Sequence, residues 1–78
     1  MKRITVEVSE ETAASLAELA IRCTDEHKRR NGFTSHGALT APALLAMLAQ
    51  DAGQVISRPG SWEGSNMAQL LSSHGYEV

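Results

Sequence analysis

The chain has 78 residues and a mass of 8.4 kDa, enough for one small domain that buries only about 60–65 % of the surface it exposes when unfolded. Cys23 is the sole cysteine, which excludes an internal disulfide and a cysteine-rich zinc site and leaves a partner chain as the expected source of further burial. Seven Lys and Arg against nine Asp and Glu give a formal charge of −2, unsuited to indiscriminate binding of polyanions.

At 42 % apolar residues the chain is too hydrophobic for a disordered tail. No apolar run approaches the roughly 18–20 residues that cross a bilayer. The opening Met1-Lys2-Arg3 lacks the apolar stretch of a secretory signal. The expectation is a cytoplasmic protein with no membrane partner and no cofactor.

Ile4, Val6 and Val8 alternate with Arg3, Thr5 and Glu7, the period of two that a half-buried strand requires. One strand of this length is unstable alone, and no second strand signal follows. Its expected ladder partner is the same strand of another copy.

Ser9 suits a helix N-cap, with Glu10 and Glu11 at the positive end of the dipole. Leu16, Leu19, Ala20 and Cys23 then recur at helical spacing, widened by Ala13 and Ala17. The spacing predicts a helix over roughly 10–30, closed by Lys28-Arg29-Arg30 and a left-handed Asn31-Gly32 cap, with Phe33 folding back on the preceding turn. Residues 31–39 read as a loop with two glycines.

The next helix has two candidate starts, Thr34-Ser35 and Thr40-Ala41. Pro42, tolerated only in a first turn, favours Thr40. The run Ala43-Leu44-Leu45-Ala46-Met47-Leu48-Ala49 is apolar all round, and a helix with no polar face is buried on all sides. In so short a chain a second copy must supply that cover. Arg58-Pro59-Gly60-Ser61 breaks the helix, and a short third helix is expected from Ser65 or Asn66 to His74-Gly75.

The segment Lys2-Arg3-Ile4-Thr5-Val6-Glu7-Val8-Ser9-Glu10-Glu11, followed by an amphipathic and then an apolar helix, resembles the ribbon-helix-helix DNA-binding proteins of the Arc and MetJ type. The resemblance covers roughly residues 2–50 in order of elements and the first twenty in detail. It implies a mainly α fold with one short N-terminal strand, an intertwined β-α-α homodimer over 1–57. The two strands would form a ribbon that enters the DNA major groove, and a helical extension would follow over 58–78.

On that resemblance Ile4, Val6 and Val8 face the helices. With Leu16, Leu19, Leu44, Leu45 and Leu48 they form the dimer core. Lys2, Arg3, Thr5 and Glu7 face the DNA: Arg bonds guanine, Thr a base or thymine methyl, and a carboxylate can accept from cytosine N4. Thr40 and Ala41 would present helix amides to a phosphate, and Arg29 and Arg30 would extend the basic surface. The function implied is a dimeric, sequence-specific transcriptional regulator of repressor or antitoxin type on a double-stranded operator, with higher-order assembly left open.

Other groupings carry less. Cys23 and His27 are four apart on one helical face, but a metal needs about four ligands, and Cys23 on the apolar stripe reads as a buried, inert thiol. No serine has a base partner or nucleophile-elbow pattern, so no enzyme is expected. Trp62, Met67, Leu70, Leu71 and Tyr76 are residue types that anchor interfaces, and equally ones that could enlarge a small core. If exposed, they fit a rival function: a small phage- or plasmid-encoded protein that binds and inhibits a host protein complex, as anti-CRISPR proteins do, without reading DNA.

Overall fold

The computed structural model describes all of residues 1–78 and is entirely helical. Its elements are α1 (Glu10–Arg29), α2 (Ala41–Ser57) and α3 (Trp62–Ser73). The chain divides into two units, Met1–Leu44 and Leu45–Val78, with the division inside α2.

The N-terminal strand is not there. Residues 1–9 have no regular secondary structure and residues 1–8 make no backbone hydrogen bond. Ile4 is 86 % exposed, and Val6 and Val8 are exposed beside it. This overturns the β-α-α ribbon fold expected above. Alternation sets which side chains would share a face, but a strand exists only through its ladder, and nothing in this chain supplies one. Ile4, Val6 and Val8 therefore face no helix, and Arg3, Thr5 and Glu7 line no sheet face.

In the first unit, α1 begins directly after Ser9, whose backbone is extended (φ −64°, ψ 159°). Its Oγ accepts from the Thr12 backbone N–H at 3.0 Å. The helix ends in a Schellman closure: Gly32 N–H donates to the His27 carbonyl and Asn31 N–H to that of Lys28, with Asn31 at φ 53°. Leu16, Ala20, Cys23, Thr24 and His27 form its inner side, Ala20 being fully buried, whereas Leu19, Ala13 and Ala17 are exposed.

The loop is fastened to that inner side twice. Thr24 Oγ1 donates to the Leu39 carbonyl at 3.0 Å and accepts the Leu39 N–H at 2.9 Å. His27 Nδ1 and Thr34 Oγ1 share a hydrogen bond of 2.6 Å. Thr34 is thus engaged by α1, and the second helix opens after Thr40, whose Oγ1 accepts from Ala43 N–H. Phe33 does not fold back; its ring is exposed.

In the second unit, α3 starts one turn earlier than the sequence suggests, because Ser61 is its cap. Ser61 Oγ accepts from Gly64 N–H at 3.0 Å and shares its proton between Gln54 Oε1 (2.8 Å) and the Arg58 carbonyl (2.7 Å). Gly64 makes this possible. A Cβ there would lie 2.7 Å from the carbonyl oxygens of both Gln54 and Arg58, so only glycine lets α3 approach the end of α2 so closely.

Helix α2 is not wrapped on all sides as its composition led us to expect. Leu44 is buried, and Met47, Leu48, Asp51, Gln54 and Val55 are half-buried. The opposite side of the helix, with Leu45, Ala49, Ala52 and Ile56, is exposed. No helix is long and apolar enough to cross a membrane.

Candidate functional site

The exposed side chains best suited to grip a partner lie on α3 and the segment after it. Helix α3 turns Gly64, Met67, Ala68 and Leu71 inward and leaves Trp62, Asn66, Gln69, Leu70 and Ser73 outward. This partition follows from the 3.6-residue period once Gly64 is fixed against α2. Trp62 is 76 % exposed and Leu70 53 %. Of the five anchors proposed from sequence, Trp62, Leu70 and Tyr76 are displayed, while Met67 and Leu71 are half-buried on the inner side.

The displayed three stand on ordered backbone. Trp62 is the first residue of a capped helix, and its carbonyl accepts from Asn66 Nδ2 at 2.7 Å. Tyr76 follows Gly75, which adopts φ 93° and closes α3 in a second Schellman motif. There Tyr76 N–H donates to the Leu71 carbonyl at 3.0 Å and Gly75 N–H to that of Ser72 at 2.9 Å. This holds Tyr76 in place beside the helix end with its side chain 65 % exposed. The groups combine apolar area with an indole N–H and a phenol O–H, the chemistry of protein-interface anchors.

The residues proposed to meet DNA do not converge on one element. Lys2, Arg3, Thr5 and Glu7 sit on the N-terminal segment without secondary structure, and Arg29 and Arg30 close α1. Arg29 is engaged: its Nε donates to Glu26 Oε2 at 2.8 Å and its Nη2 to Glu26 Oε1. The hydrogen bonds from that guanidinium hold the Glu26 carboxyl below its usual range, and the Arg29 pKa rises in return. Arg22 is likewise paired, with Glu18 at 3.1 Å. Thr40 spends its hydroxyl on capping α2, next to Ala41.

Of the residues assigned to a dimer core, Leu44 is buried, Leu16 and Leu48 are half-buried, and Leu19 and Leu45 are exposed. Cys23 is a free, half-buried thiol on the inner side of α1, and His27 beside it is occupied by Thr34. No cluster of three or more His, Cys, Asp or Glu could hold a metal ion. An open depression on α1, lined by Ala14, Ser15, Glu18, Leu19 and Arg22, holds one hydroxyl beside an ion pair and no imidazole.

Sequence reasoning placed Ala49 in the apolar run of α2 but gave no role to Ala52 or Ile56. Their spacing was visible, but on a helix apolar all round no single stripe stands out by periodicity. Compared with protein-family models, curated proteins and solved structures, the chain matches none.

Proposed function

We propose that this chain acts by binding another protein, with Trp62, Leu70 and Tyr76 as the anchoring side chains. In that role it works by occupying a surface of a host protein complex and inhibiting it, without reading base sequence. The observation that carries the reading is the display of a tryptophan and a tyrosine, each about two-thirds or more exposed, on backbone fixed by a Ser61 cap and a Gly75 closure. Large, rigid amphipathic side chains held in place lose little entropy on binding and so favour affinity. Charge supports the same reading: the net charge is −2, and two of the basic residues are already neutralised by neighbouring carboxylates.

The test is affinity purification of the tagged protein from nuclease-treated host lysate, followed by titration of the purified partner. Trp62→Ala is expected to weaken that binary complex about 30-fold or more, as loss of a central aromatic anchor does, with helix content unchanged. Retention of only nucleic acid, or a complex indifferent to Trp62→Ala and Tyr76→Ala, overturns the reading.

A further inference from the structure

We infer that the outward side of α2 is a self-association surface that takes a second copy of this chain, helix against helix and antiparallel. The surface is the row Leu45, Ala49, Ala52, Ile56. Its spacing of four, three and four residues is that of the apolar seam of two helices packed side by side. All four residues are exposed, Ile56 at 85 % and Leu45 at 37 %. At 100° per residue the row lies roughly half a turn round the helix from Gln54, which receives Ser61. The packing of α3 therefore leaves it open.

The occupant follows from two properties. The row is free of charge: Asp51 is the only formally charged residue of α2 and is half-buried on the other side. The flanking Ala46 and Gly53 add neither charge nor bulk, and Cβ added at Gly53 would meet nothing within 4 Å. Joining two such surfaces desolvates no ion.

The row is also a palindrome in size, large, small, small, large. A two-fold contact repeats one patch on both partners. Antiparallel pairing sets Leu45 of each copy against Ile56 of the other and Ala49 against Ala52, so the small residues at the centre let the backbones close in and the large ones flank them.

The inference is independent of whether Trp62 and Tyr76 grip another protein.

Sedimentation equilibrium over a concentration series tests it. The unmodified chain is expected to reach twice 8.4 kDa, and Ala49→Lys or Ala52→Glu alone to raise the dissociation constant at least about 100-fold, since each buries two unpaired charges across the two-fold axis. The double variant Ala49→Lys/Ala52→Glu places each lysine against a glutamate of the other copy and is expected to regain the dimer. Both positions are exposed, and circular dichroism establishes that the variants keep their helices. A mass of 8.4 kDa at every concentration, a dimer unaffected by either single change, or a double variant that stays monomeric overturns the proposal.

Discussion

A methyl group at position 64 would stand 2.7 Å from two carbonyl oxygens and 3.0 Å from Ser61 Oγ, and backbone carbonyls cannot step aside as a flexible side chain can. Gly64→Ala is therefore expected to destabilise the chain by about 1–3 kcal/mol, as overpacking does, read as a lower midpoint in urea. Thr24 matters for a different reason. Its single oxygen satisfies both backbone groups of Leu39, so Thr24→Val leaves an N–H and a carbonyl unpaired at a cost of about 1–2 kcal/mol. Amide exchange at Leu39 should accelerate about tenfold, with α1 amides little changed. At Glu26 the paired Arg29 lowers the carboxyl's midpoint. The pair is complete above the ordinary carboxylate range and is lost as pH falls through that lowered midpoint. A carbon-detected NMR titration should find Glu26 titrating below an unpaired glutamate, and Arg29→Ala should move it back up.

Among the elements, capping chemistry was the most legible part of the sequence. Ser9 before Glu10-Glu11, Asn31-Gly32, Thr40 before Pro42 and Gly75 all act where their residue types indicated, because a cap is decided by a few neighbouring atoms. Ser61→Ala should lower helix stability by about 1 kcal/mol and Ser9→Ala by a similar amount, measured by thermal melting. Ser61 should be the costlier, since it also reaches Gln54 and Arg58. The start of α3 was misplaced because Ser61 was read as part of the Arg58-Pro59-Gly60-Ser61 break, which left Ser65 or Asn66 as the opening residue. What selects that start is tertiary, the approach of Gly64 to the end of α2. The N-terminal strand failed for the converse reason. Ile4, Val6 and Val8 have ideal local propensity, yet β structure depends on a neighbour that local sequence does not contain.

For the whole molecule, the notable quantity is how little is buried. Ala20, Leu44 and Gly64 are the only residues removed from solvent, fewer than a domain needs to offset the entropy of ordering its backbone. Composition and length made this shortage legible, and α2, apolar all round, led us to expect cover from a second copy. Neither could say which side of the helix would stay open, since that depends on where α3 lands. Melting temperature should accordingly rise with protein concentration, by mass action on the associated form. A midpoint independent of concentration over a hundredfold range would count against self-association.

The bare stretch ahead of Ser9 has a practical corollary. Since Met1–Val8 contribute no hydrogen bond to the backbone scaffold and the serine completes its cap unaided, a version shortened to begin just upstream of that serine should keep the helix content of the parent. Dyes and purification handles are thus better spliced on there than at the opposite terminus, which lies two residues from the exposed Tyr76 phenol.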